Sequence, residues 1–177
     1  KTWDKTISKE GEKITENRKR FIDELQVELS LIQKKISKRE IKIEFRCGWG
    51  EGKLSDYLEK NIKRDVAAKR TMGGPHRADM LVTLDGKPAK EFSSKGEEKQ
   101  MSLTVSFGVS NLIEKKTGAL PLLLIDELES GLDEDALIRI SEYIKKLKNQ
   151  RLITALNHHK IKEMLTAKTI LPKQYNC

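Results

Sequence analysis

Residues 122–127 read Leu122-Leu123-Leu124-Ile125-Asp126-Glu127, a branched apolar run closing on two adjacent carboxylates. Such a run suits a strand inside a parallel sheet, because these strands are covered on both faces and bind ligands beyond their C-terminal ends. The strand is expected over 120–126, Leu120 to Asp126, buried, with Pro121 near its start. Asp126 is then placed to hold Mg²⁺ through its water shell, since that ion keeps several waters and takes few protein ligands. Glu127 points the other way, where a carboxylate orients or deprotonates an attacking water. A buried strand with polar ends and no chemistry has the same local appearance.

Downstream, Ser130-Gly131-Leu132-Asp133 precedes a helix expected over 134–148. Asp133 is its N-cap, and Leu137, Ile140, Tyr143, Ile144 and Leu147 share one face. A second strand is expected over 151–156 and a last helix over 159–166. His158 is expected at the end of that short strand, in Leu156-Asn157-His158-His159. It reads either as an ordinary loop histidine or as a neutral imidazole that bonds a phosphate or positions a water. Upstream, Ser94-Lys95-Gly96-Glu97 forms a capping box, with Ser94 at the N-cap and Glu97 at N3. An uncovered helix start with a serine hydroxyl and a glycine amide is also an anion site. The box favours helix for the segment that follows. There Met101, Leu103, Val105, Phe107 and Val109 alternate like a strand, while Met101, Val105, Leu112 and Ile113 keep a helical period. Alternation of helix and strand through the second half indicates a parallel α/β sheet.

The first forty residues read as one long helix. Ile7, Ile14 and Phe21 recur every seven positions, and Ile22, Leu25, Leu29, Ile32 and Ile36 continue the stripe among charged residues. A stripe of that kind packs on a partner helix, as one limb of a hairpin, or inside a helical subdomain. Ile41, Ile43, Phe45 and Cys47 alternate as a strand. Gly48, Gly50 and Gly52 loosen the loop around Trp49. Leu54, Leu58 and Ile62 outline a short helix capped by Ser55. After a break at Gly73-Gly74-Pro75, Met80, Val82 and Leu84 run to an Asp85-Gly86 hairpin turn, with Lys87 to Phe92 returning.

The chain of 177 residues is 37% hydrophobic and 35% charged, enough for a core beneath a charged surface. Lys and Arg number 35 against 27 Asp and Glu, for a net charge of +8. That excess suits a polyanion such as nucleic acid, or serves solubility alone. Cys47 and Cys177 match neither a disulfide framework nor zinc-ligand spacing, so a reducing cytoplasm is expected. No apolar stretch is long enough to span a membrane. The chain opens at Lys1 without methionine, so it is expected to be a piece of something longer.

The order of these features is informative: a capped helix start, an apolar strand ending in Asp-Glu, Ser-Gly-Leu-Asp, a helix, a strand and a histidine. It matches the order of signature, Walker B, D-loop and switch histidine in ABC-type ATPases. With Gly74-Pro75-His76-Arg77 and Asp85-Gly86-Lys87-Pro88-Ala89-Lys90-Glu91-Phe92, the chain resembles the RecF family, bacterial recombination-repair ATPases of the SMC-like branch. The signature position holds Ser-Lys-Gly-Glu where the family pattern is Ser-Gly-Gly-Gln, and no Gly-x-x-x-x-Gly-Lys-Ser/Thr loop occurs.

The resemblance implies an α/β ABC/SMC-like C-terminal lobe with a β-hairpin and flanking helices over 74–177, and a helical arm-like subdomain over 1–73. It implies ATP and Mg²⁺ as cofactors, with Asp126 as the metal residue and Glu127 and His158 as catalytic residues. Ser94 and Gly96 would contact the γ-phosphate of a partner subunit's nucleotide, and Asp133 would line the dimer seam. It further implies roles in DNA replication, repair, recombination and the SOS response. These would proceed through ATP-dependent head-to-tail homodimers at single-strand/double-strand junctions, with mediators such as RecR, and with no membrane. The rival expectations are a non-enzymatic DNA- or mediator-binding module and a fragment of another SMC-like ATPase.

Overall fold

The computed structural model describes residues 2–166, 168 and 170. Packing divides them into two compact units. One comprises residues 2–27 with Ile41–Phe92, the other Glu28–Glu40 with residues from Ser93 onward. This partition does not follow the 1–73 and 74–177 division of the sequence. Helix α1 (Thr2–Ile36) is continuous through the change of unit, and the hairpin groups with the earlier residues.

In the first unit, strand β1 (Ile41–Arg46) pairs antiparallel with β2 (Asp79–Leu84), from Ile41 opposite Leu84 to Arg46 opposite Asp79. The Gln26 side chain accepts from the Ile43 amide at 2.8 Å and donates to the Ile41 carbonyl at 3.2 Å, tying α1 to the strand. Asp85 and Gly86 both have positive φ, 49° and 78°, as the tight hairpin turn requires. The returning limb is shorter than expected. Strand β3 is only Lys87–Pro88, and Ala89–Phe92 form a short helix, α3. Pro88 stands opposite Thr83 on the edge strand, a place where a missing amide is tolerated.

Helix α2 (Leu54–Ala67) also differs in its cap. The Ser55 hydroxyl bonds Asp56, and Glu12 of α1 accepts from the Leu54 amide at 2.9 Å. A distant carboxylate thus takes the role expected of Ser55, because α1 passes close by. An added Cβ at Gly11 would lie 2.7 Å from the Leu54 side chain. The α1 stripe likewise divides: Leu25, Leu29, Ile32 and Ile36 are buried, whereas Ile7, Ile14 and Phe21 are exposed.

The second unit forms around α4 (Lys95–Thr117), α5 (Glu134–Lys146), α6 (His158–Leu165) and the end of α1. Strand-like alternation in 101–109 yields to helix. Ser94 caps its start, Gly118 ends it at φ +72°, and Phe107 is buried with its ring 5.1 Å from that of Tyr143. Buried Glu28 is bonded by Lys115 and Asn111 of α4. Strands β4 (Leu123–Ile125) and β5 (Arg151–Ile153) are parallel, in the register Leu123–Arg151 to Ile125–Ile153.

Both strands are shorter than the sequence indicates, and β4 is not buried throughout. Leu123 and Ile125 enter the core, whereas Leu124 is 70% exposed and Leu122 and Leu152 also face outward. The described helices of this unit cover one face of the sheet. No described helix is long and apolar enough to cross a membrane.

These burial differences set opposite costs for two apolar positions. Phe107→Ala should lower unfolding stability by about 3–5 kcal/mol. Leu124→Ser should stay within about 0.5 kcal/mol of the parent. Urea unfolding of the two variants measures both; comparable losses would mean that β4 is buried on both faces.

Candidate functional site

The acidic pair lies just beyond β4, where the parallel ladder makes its last bond from the Thr154 amide to the Ile125 carbonyl at 2.9 Å. Asp126 and Glu127 are both exposed there. Glu127 has φ +43°, a left-handed conformation that costs a non-glycine residue about 1–3 kcal/mol and is sustained only by its surroundings. Those surroundings are specific. The Glu127 amide donates to Thr154 Oγ1 at 2.7 Å, and the Glu127 carbonyl accepts from Ser130 at 2.9 Å. Leu128, fully buried, donates from its amide to the Thr154 carbonyl at 3.1 Å. The Thr154 hydroxyl donates to Asp126 Oδ1 at 2.5 Å, the short spacing of a bond to a charged acceptor. Lys99 of α4 reaches the Asp126 carbonyl with its ammonium at 2.6 Å.

The start of α4 forms the second part of the site. Ser94 Oγ accepts from the Glu97 amide at 3.3 Å and donates to Glu97 Oε2 at 2.9 Å, while the Ser94 amide donates to the same oxygen at 2.8 Å. Arg39 bonds the other carboxylate oxygen. The Ser94 amide and then the Arg39 guanidinium hold the Glu97 carboxyl below the usual carboxylate range. The expected capping box is therefore present, and Arg39 reinforces it from a distant part of the chain.

Gly96 has a packing reason to be glycine. An added Cβ would stand 2.4 Å from the carbonyl oxygen of Gly131, itself at φ +75°. The Ser94–Glu97 and Ser130–Asp133 motifs thus meet backbone to backbone.

Asp133 is the N-cap of α5, accepting from the Ala136 amide at 2.7 Å. His158 is not at a strand end. Strand β5 stops at Ile153, and His158 begins α6, because Asn157 caps that helix by accepting from the Lys160 amide at 3.2 Å. The His158 side chain lies outside the described residues. The residue facing the acidic pair is Thr154, which sequence reading absorbed into a strand. Its signal is a hydroxyl just past β5, but the strand register is needed to set it opposite Asp126.

Among the described residues, no cluster of three or more His, Cys, Asp or Glu side chains could hold a metal. A single exposed carboxylate fits Mg²⁺ only where waters and phosphate oxygens complete the shell. Asp126, exposed just beyond β4, is a carboxylate of that single kind.

No protein-family model matches the chain. It is 32% identical over 165 residues to the DNA replication and repair protein RecF of Pseudoalteromonas translucida (strain TAC 125), covering 88% of this chain and 44% of that protein. It is 28% identical over 162 residues to the protein of the same name from Coxiella burnetii (strain RSA 493 / Nine Mile phase I), covering 90% and 45%. The chain is RecF-like.

It spans under half the length of the curated RecF relatives it matches. A solved structure of the recombination mediator protein RecF-ATP in the RecFOR pathway superimposes with TM-score 0.74 at 23% identity, over 89% of this chain and 44% of that one. A structure from work on ATP-driven dimerization and DNA-stimulated activation of SMC ATPases gives TM-score 0.50 at 18% identity, over 86% and 76%. The RecF-like chain therefore shares the α/β fold of those two structures, with an antiparallel hairpin sheet, a small parallel sheet and flanking helices.

Two substitutions separate the contributions at the start of α4. Gly96→Ala should destabilise by about 1–3 kcal/mol, the usual cost of overpacking, because backbone rather than a flexible side chain opposes the new methyl. Glu97 has a lower carboxyl pKa folded than unfolded, so its stabilisation is complete above the unfolded value and is lost as pH falls through the folded one. Acid unfolding below about pH 4.5 should therefore be less steep for Glu97→Gln than for the parent. Parallel acid limbs would remove Glu97 from the linkage.

Proposed function

We propose that this chain is the part of a RecF-like DNA repair and recombination ATPase that supplies the hydrolytic carboxylates and the signature helix. The observation that carries the proposal is Asp126-Glu127, held in a fixed and locally strained turn at the C-terminal end of a parallel strand. That is where open α/β sheets bind ligands, and where stored backbone strain points to function. The likeness to RecF over most of the chain, with the RecF-ATP and SMC ATPase structures that share its fold, supports the reaction class.

In this reading Asp126 faces Mg²⁺, which when bound offsets negative charge on the phosphate oxygens. Glu127, exposed and free of β-sheet pairing, accepts a proton from the attacking water at its carboxylate. Ser94 and Gly96 present a helix N-terminus to the γ-phosphate of a nucleotide held by a partner copy. The Ser94 hydroxyl has one proton, directed to Glu97 in this structure, so donation to phosphate requires that it turn away from Glu97. Asp133 and His158 lie along the dimer seam.

Residues 1–73 serve as the arm and 74–177 as part of the ATPase core. The protein acts in the cytoplasm on DNA junctions with RecR-type mediators, in replication, repair and the SOS response. A purely DNA- or mediator-binding module, the alternative, gives no reason for a strained acidic turn.

The test is ATP hydrolysis by the natural polypeptide that contains this chain. Glu127→Gln should bind ATP, accumulate as dimer and turn over about 10²–10⁴-fold more slowly, the usual contribution of a general base. The 177-residue chain by itself, whose sequence has no Gly-x-x-x-x-Gly-Lys-Ser/Thr loop, should hydrolyse none. Unchanged turnover in Glu127→Gln, or steady hydrolysis by the chain alone that Asp126→Ala abolishes, would refute these assignments.

A further inference from the structure

The hydrogen-bonding groups of Thr154 converge on one short segment. Its amide donates to the carbonyl of Ile125 and its carbonyl accepts from the amide of Leu128. Its hydroxyl donates to Asp126 Oδ1 at 2.5 Å, and Thr154 Oγ1 itself accepts from the Glu127 amide at 2.7 Å. A hydroxyl has one proton and two lone pairs, so the proton and one lone pair are directed to the acidic pair. The backbone bonds fix the turn between Ile125 and Leu128, and the hydroxyl fixes the residues within it.

The two hydroxyl bonds act on different properties. The bond to Oδ1 orients the Asp126 carboxylate and assigns one of its oxygens to protein, leaving Oδ2 to meet a ligand. The bond from the Glu127 amide gives that group a partner while Glu127 stays at φ +43°. Without it, the left-handed conformation loses a compensating interaction and the Glu127 side chain loses its direction. Threonine suits the task because its β-branched side chain has few χ1 rotamers, so the hydroxyl is held in place.

We infer that Thr154 is a positioning residue: one hydroxyl sets the direction of Asp126 and the left-handed backbone of Glu127 together. What the two carboxylates then do rests on the ATPase reading above, whereas the positioning does not. The arrangement resembles the outer-shell partners of metal-ligating carboxylates, whose loss typically lowers metal affinity or activity about 10–100-fold.

Two variants and two readouts test this. Thr154→Val preserves shape and removes the hydroxyl; Thr154→Ser retains the hydroxyl. In the 177-residue chain, amide hydrogen exchange at Glu127, followed by NMR in folded protein, reports the bond directly. It should accelerate in Thr154→Val and stay near the parent rate in Thr154→Ser, with Leu128 exchange little changed in either. In the natural polypeptide, Thr154→Val should lower kcat for ATP about 10–100-fold with KM for ATP nearly constant, and Thr154→Ser should restore most of the rate.

Parent-like Glu127 exchange in Thr154→Val overturns the inference, as does equal damage from both variants. If the parent polypeptide hydrolyses no ATP, the ATPase reading fails and the exchange measurement alone decides the positioning. If Thr154→Val does not fold, Thr154→Ser decides: accelerated Glu127 exchange with the hydroxyl retained overturns the inference, and parent-like exchange upholds it.

Discussion

The candidate site depends on the parallel register of two very short strands. Leu123 to Ile125 align with Arg151 to Ile153, so the next residue of each strand comes opposite the other. That alignment sets a threonine hydroxyl against an aspartate and allows a glutamate to keep a backbone conformation it would not hold alone. A slip of one residue would turn Leu123 and Ile125 from the core and carry the hydroxyl away from Asp126. Burial of Leu128 just beyond the turn opposes such a slip, since its side chain and its bond to Thr154 would both be lost.

The start of α4 depends on a second constraint, the approach of its backbone to the Ser130–Asp133 turn. Gly96 meets Gly131 where an added Cβ on Gly96 would strike the Gly131 carbonyl, and Gly131 itself holds a left-handed φ of +75°. Lys99, about one helical turn further along α4, reaches the Asp126 carbonyl. One helix therefore contacts both the acidic turn and the glycine turn. Movement of the α4 N-terminus would be felt at Asp126 through these contacts, which are packed and hydrogen-bonded rather than solvent-separated.

Much of the fold is legible because its signals are local. Ser94 and Glu97 stand at capping-box spacing, and the box forms as read, overriding strand-like alternation from Met101 to Val109. Asp133 caps the helix expected of it, and Asp85-Gly86 makes its turn. Where a distant residue intervened, local reading failed. Ser55 lost its cap to Glu12 of α1. The expected strands also overran what forms: Lys87 to Phe92 paired over only two residues, and the β4 leucines divided between core and solvent. His158 was expected at a strand end and instead begins a helix, because Asn157 caps that helix.

By itself the sequence determined the chemistry available: two carboxylates after an apolar strand, a capped helix start with a glycine, and turns at fixed places. These are properties of neighbours along the chain, set by side-chain period, capping bonds and the φ range each residue tolerates. Only the tertiary structure decided which groups face one another. Thr154 and Asp126 are 28 positions apart, as are Asn157 and Glu129. Arg39 and Glu97 are 58 apart, and no local period encodes such pairs. Hydrogen bonds act over about 3 Å and say nothing of sequence distance. The site's geometry therefore came from strand register and helix packing rather than from the motifs that first marked it.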